Sequence, residues 1–192
     1  RAIVQPLLPE LRLRAPGTRL AVLQAAPLRM GRQAELAEID LGFVTLDVAA
    51  PGLRCRPLFT ERYLLAGRAG HPALRRRPTL TQFCRLEFVI VSPDGGGFRG
   101  GADPLLEAMG LRRQVVLSVP HFLFLLSAVT HSDLVALVPS RLAAGAPGLR
   151  VVEPPLDVPG FEMAMVWHER VHRDPAHVWL RERIVGSLAP RS

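Results

Sequence analysis

The chain contains no lysine and no asparagine, and among its 192 residues there are one tyrosine and two cysteines. Without lysine, the net charge of +7 rests on 24 arginines. That is the bias a GC-rich coding sequence produces, and the arginines are scattered along the chain. The densest run, Arg75-Arg76-Arg77, sits before Pro78 with no aromatic residue interleaved, so it does not read as a single-strand nucleic-acid groove. It reads as a solvated loop. Cys55 and Cys84 have no metal-ligand spacing and make no disulfide framework, so free thiols in a reducing compartment are expected. Apolar runs fall well short of the roughly 20 residues of a membrane span. No basic segment followed by an apolar one opens the sequence, so no secretory signal is read there.

What the chain does have is the balance of a globular protein, with 48% hydrophobic and 21% charged residues. Ile3, Leu7, Leu8 and Leu11 recur at helical spacing, with Pro6 and Pro9 expected to delay or kink the helix. "TRLAVLQ" alternates as a strand, "RMGRQAEL" reads as a short helix, and the apolar run Ile39–Leu46 suits a parallel strand buried on both faces. "PLFTERYLLAG" is a further strand region. Thr79 caps a short helix in "TLTQF", and "LEFVIV" is a buried strand. Asp103 and Pro104 read as N-cap and first position of a helix that Gly110 stops. "QVVLSV", "LVALVP" and "FEMAMVWH" read as strands, "HFLFLLSAVTH" as a buried helix and "SRLAAG" as a short one. Asp174 and Pro175 open the last helix. Strands alternating with helices give an α/β fold with parallel sheet.

Three constellations invite a catalytic or metal reading. His168, His172 and His177 cluster in sequence, but they fall on a strand end, a loop and a proline-started helix, so no metal is expected there. "GGGFRG", from Gly95 to Gly100, matches the dinucleotide fingerprint and follows a strand. The acidic residue needed at the end of the next strand is missing, however, so no cofactor is expected and the stretch reads as a flexible loop lining a ligand cleft. Ser118, His121 and Asp133 lie close in sequence, without the nucleophile elbow of a hydrolase. No catalytic residue is assigned, and the chain is not read as an enzyme.

The blocks "LLPELRLRAPG", "AELAEIDLGF", "LFTERYLLAGRAGHPAL", "DPLLEAMGLRRQVVLSVPHF", "HSDLVALVPSRLA" and "PLDVPGFEMAMVWHERVHRDPAHVWLRE" follow in order through essentially the whole chain. Together they resemble the C-terminal effector-binding (substrate-binding) domain of LysR-type transcriptional regulators. The resemblance implies a type-2 periplasmic-binding-protein-like fold, with two Rossmann-like subdomains joined by two crossover strands near Thr60–Leu65 and Pro159–Met163. Residues 1–64 and 161–192 then form subdomain I, and 65–160 subdomain II. The first strand of subdomain I and the N-terminal winged helix-turn-helix are absent from the sequence as given. Promoter DNA is therefore expected to be bound only through that other domain of the full-length regulator. A cytoplasmic homodimer is implied, assembled into a tetramer at full length, with no membrane partner; "RMGRQAEL" and "HFLFLLSAV" are its candidate surfaces. A periplasmic solute-binding protein of the same fold is the alternative reading, and an enzyme the third.

A small-molecule effector is implied between the subdomains, at the carboxyl ends of strands. The candidate contacts are Ala26 and Pro27, Thr45, Ser92, Gly97, Phe98, Pro120, His121 and Phe122. His121 and Phe122 open a helix, where unpaired N–H groups favour an anion. His121 would hold a carboxylate or phenolate while Phe122 and Phe98 cover an aromatic ring.

Overall fold

The computed structural model describes residues 2–24, 27–48, 52–92, 96–144 and 146–188. The chain divides into two compact units, Arg1–Thr60 with Phe161–Ser192, and Glu61–Gly160.

Unit 1 opens with α1 (Val4–Arg14), continues through α2 (Pro27–Glu35), β1 (Gly42–Thr45) and β2 (Arg54–Glu61), and is completed from the far end of the chain by β8 (Phe161–Trp167) and α7 (Pro175–Leu188). The prolines do not delay α1. Pro6 lies in its first turn, where the missing N–H has no helical partner to lose, and Pro9 is carried inside the helix. The sheet order is β1-β8-β2. β1 is antiparallel to β8, Gly42 facing Val166 and Thr45 facing Met163, which corrects the expected parallel strand. Its burial alternates between buried and half-buried because successive side chains point to opposite faces of the sheet. Alternation in β8 sends Met165 and Trp167 to one face, against Ile3 and Leu7 of the N-terminal helical region and Ile184 of α7. Val166 points to the other face, against Met30 of α2 and Val44. A Cβ on Gly42 would come within 2.4 Å of the Met30 sulfur, so a larger residue would have to push the Met30 side chain aside. The expected strand "TRLAVLQ" is not one. Thr18–Gln24 is exposed and joins no ladder among the described residues, so the alternation has no neighbour to pair with.

Unit 2 contains β3 (Tyr63–Arg68), α3 (Leu80–Cys84), β4 (Glu87–Val91), α4 (Asp103–Ala108), β5 (Gln114–Val119), α5 (Phe122–Thr130), β6 (Ala136–Pro139), α6 (Ser140–Ala144) and β7 (Leu149–Val152). β3 lies between β6 and β7, antiparallel to both, with Leu65 opposite Leu137 and Val152. β4 runs parallel to β5, and Phe88 bridges in parallel to Val135 just before β6. Neighbouring residues feed opposite faces. Leu65 and Phe88 pack with Leu74, Phe83, Leu106 and Val135, while Ala66 and Val89 pack with Leu125, Val129 and Val138. Both faces are covered, so each fully buried Phe or Leu contributes about 1.5–3 kcal/mol of burial. Thr79 caps α3 in a reciprocal capping box with Gln82.

α5 is buried on one side only, leaving Leu123 and Phe124 exposed. β7 is an added element, too short to register in the sequence pattern. The buried Glu61 carboxylate accepts backbone N–H bonds from Arg62, Ser140 and Arg141. A Cβ on Gly160 would sit 2.1 Å from the Glu61 carbonyl oxygen, so the chain passes that point only as glycine.

Candidate functional site

In unit 2 the ends of β4 and β5 are tied together, the Ser92 N–H donating to the Val119 carbonyl at 2.9 Å. The Gly97 N–H donates to the Ser92 hydroxyl at 3.2 Å. A Cβ on Gly97 would approach that hydroxyl to 2.9 Å. Pro120 is exposed after β5 and hands over to His121, the N-cap of α5. The His121 Nδ1 accepts the Phe124 N–H at 3.2 Å, so in its neutral form the ring carries its proton on Nε2 and presents a donor to solvent. Phe122 is half-buried against the core beneath α5.

Beside these strand ends lies a cavity of about 100 Å³, whose walls include Tyr63, Ile90, Gly101, Arg113, Phe122 and Leu137. Burial pushes the Tyr63 phenol up, with the Glu61 charge adding to it, so the phenol remains protonated near neutrality. The Ser118 hydroxyl, opposite Ile90 in the parallel register, is buried without a hydrogen-bond partner among the described residues. Such an unmade bond costs free energy until a ligand or water supplies it.

The charge at this cavity comes from Arg113. Its Nε and Nη2 donate to the two Asp103 oxygens at 2.9 and 2.8 Å, and the guanidinium lies 4.9 Å from the Phe88 ring centroid. Asp103 was expected to cap α4. Its carboxylate instead accepts from Arg113 and from the Gly100 N–H, and the N-cap position falls to Ala102. Burial pushes the Asp103 carboxyl up, but the Arg113 and Gly100 hydrogen bonds, with the Arg113 and Arg99 charges, outweigh it and hold the carboxyl below its ordinary value. No sequence spacing marks Arg113 as a site residue. The available signal is an arginine pair, Arg112-Arg113, just ahead of a buried strand.

Phe98 lies elsewhere. Its ring is exposed and lines a second, larger cavity of about 600 Å³ with Arg99, Glu107 and Arg112. The two rings expected to cover one ligand thus line different cavities. In unit 1, Thr45 ends β1 and is half-buried. Pro27 begins α2. Ala26 and the Pro27 side chain lie outside the described residues, as does Gly95.

The three C-terminal histidines are tied into local structure. The His168 Nδ1 accepts the Arg170 N–H, and the Trp167 Nε1–H donates to His172 Nδ1. The buried His177 lies between Arg181 and the Asp40 carbonyl, its own N–H taken by the Asp174 carboxylate. No group of three metal-ligating side chains gathers among the described residues. No helix among those residues is long and apolar enough to cross a membrane.

Two α/β units, the first built from both ends of the chain, match the make-up of a regulatory domain of the LysR type. The chain belongs to the LysR substrate binding domain family, whose model matches residues 1–189. It is 37% identical to the HTH-type transcriptional regulator SyrM of Rhizobium etli over 97% of this chain and 56% of that protein. To the HTH-type transcriptional activator NagR of Ralstonia sp it is 33% identical, over 94% of this chain and 60% of that one. The regulatory domain of MexT, a transcriptional activator in Pseudomonas aeruginosa, superimposes with a TM-score of 0.82 at 32% identity, over 96% of this chain and 92% of that one. The fold is the periplasmic-binding-protein-like α/β fold of LysR regulatory domains. The chain spans about half the length of the curated relatives it matches.

Proposed function

We propose that this chain is the ligand-sensing part of a LysR-type transcription factor of the cytoplasm and has no enzymatic role. In this reading the two units serve as its two subdomains, and a small anion with an aromatic body binds at the strand ends to alter transcription. Promoter DNA would be held by a separate helix-turn-helix domain of the full-length protein. The relatives' names support a regulator over a periplasmic solute carrier. The observation that carries the effector reading is the strand-end cavity, where one buried guanidinium, one aromatic face and a protonated phenol converge. The proposed contacts are Ser92, Gly97, Pro120, His121 and Phe122 in unit 2, with Ala26, Pro27 and Thr45 in unit 1. Phe98 belongs to the other cavity. The His121 Nε2–H and the first N–H groups of α5 favour a carboxylate.

Calorimetric titration of benzoate and its hydroxy-substituted relatives into the protein tests the reading. A member of the panel is expected to bind saturably, with affinity reduced at least tenfold in Phe122→Ala and more modestly in His121→Ala. Equal binding to all three proteins would overturn the site.

A homodimer belongs to the same proposal, and a tetramer at full length. Leu28 of α2 is fully exposed, and Leu123 and Phe124 of α5 are more than half exposed, an apolar cost that pairing with a second copy removes. Light scattering is expected to give twice the chain mass, and Leu123→Glu with Phe124→Glu to give a monomer.

A further inference from the structure

We infer that unit 2 carries a second ligand site, the cavity of about 600 Å³ beside α4, and that it takes an organic monoanion with a bicyclic aromatic body. The inference stands apart from the effector reading, because Arg113 is the one residue among those described that lines both cavities. The volume lies within the roughly 300–1,000 Å³ of small-molecule pockets. One wall is apolar, formed by Phe98, Leu111 and Val115, and the Phe98 ring is 54% exposed, free to cover a flat ligand.

The charged groups set the sign. Arg99, Arg112 and Arg113 face Asp103 and Glu107 around the cavity. Arg113 is neutralised by Asp103, and the Arg99 Nη2 donates to the Glu107 Oε2 at 2.7 Å. Arg112 is exposed and ion-pairs with no carboxylate among the described residues, leaving one positive charge. A guanidinium plane offers a carboxylate two parallel N–H donors and stacks on an aromatic face, so a single aromatic carboxylate satisfies both wall types.

Arg113 lines both cavities, so the segment from Phe98 to Asp103 wraps one guanidinium with a cavity on either side. A ligand in the larger cavity would therefore pull on the same Arg113–Asp103 pair that a strand-end ligand meets.

The test uses 2-naphthoate, followed by its fluorescence and by amide chemical shifts. Saturable one-to-one binding is expected, with the largest shifts at Phe98, Gly110, Leu111 and Arg112. Arg112→Ala is expected to weaken binding at least tenfold. Glu107→Gln frees Arg99 and is expected to tighten binding severalfold, a sign that a merely structural role for these exposed residues would not give. Phe122→Ala leaves naphthoate binding unchanged. Absence of saturable binding, or equal affinity in Arg112→Ala and Glu107→Gln, would overturn the second site. So would loss of binding in Phe122→Ala alone, which would move the ligand to the strand ends and leave the effector reading standing.

Discussion

Among the described residues, each unit buries an arginine over an aromatic ring, Arg113 in unit 2 and Arg181 in unit 1, and the two are neutralised in different ways. In unit 2, Arg113 lies over Phe88 and meets a carboxylate, Asp103, through two near-parallel bonds. In unit 1, Arg181 lies 4.4 Å from the Trp167 ring centroid and has no ion pair to a carboxylate among the described residues. Its Nη2 donates to the His172 carbonyl at 2.7 Å, and its Nη1 lies 2.5 Å from His177 Nδ1. Burial lowers the Arg181 pKa, and Arg56 lowers it further against the opposing charges of Glu182 and Asp174. Carbonyl dipoles and a neutral imidazole can hold a cation inside scaffolding that only has to be rigid. A formal counter-charge is found where the cation also lines a cavity.

The largest effect is expected from removing that counter-charge. Asp103→Asn leaves a buried guanidinium uncompensated and should cost about 3–5 kcal/mol, read as a lower urea midpoint for unit 2. Arg181→Met removes a cation that has no carboxylate to strand. It leaves the His172 carbonyl and His177 Nδ1 without a donor but also relieves the burial penalty, so about 1–3 kcal/mol is expected by the same measurement. A difference in the reverse order would show that the carbonyl cage, not the ion pair, is the more demanding arrangement.

Acid sharpens the same contrast. The folded Asp103 carboxyl titrates below its unfolded value of about 3.9, so the stability it contributes is complete above that value. It is lost as pH falls through the folded pKa. The stability gap between the native protein and Asp103→Asn should therefore be constant above about pH 5 and shrink below about pH 4. The smallest effect is local. Thr79→Ala removes the capping box of α3 and should cost about 1 kcal/mol, with no change in ligand binding.

Legibility in the sequence followed how local each interaction is. Asp174-Pro175 and Asp103-Pro104 look alike as written, and both were read as helix starts. Asp174 caps α7, whereas Asp103 turns to an arginine ten residues away, a competition invisible in the dipeptide. The strands β4, β5, β6 and β8 announce themselves by composition. "TRLAVLQ" alternates just as well and forms no ladder among the described residues, since pattern cannot supply a hydrogen-bonded neighbour. The start of α5 at His121 and Phe122 was legible because a strand end followed by an apolar helix is a local signal. Tyr63 and Arg113 line one cavity with Phe122, from β3 and from the turn before β5, and nothing in the intervening residues links them.

The central claim is that the strand ends of unit 2 form a binding site for a small aromatic anion. The most direct measurement is calorimetry of the benzoate panel into the native protein and into Phe122→Ala, at a pH where Asp103 is ionised. The expected result is saturable binding to the native protein by at least one member, with Kd raised tenfold or more, about 1.4 kcal/mol, in the variant. Binding of that member with the same Kd to both proteins, or no binding by any member, would contradict it.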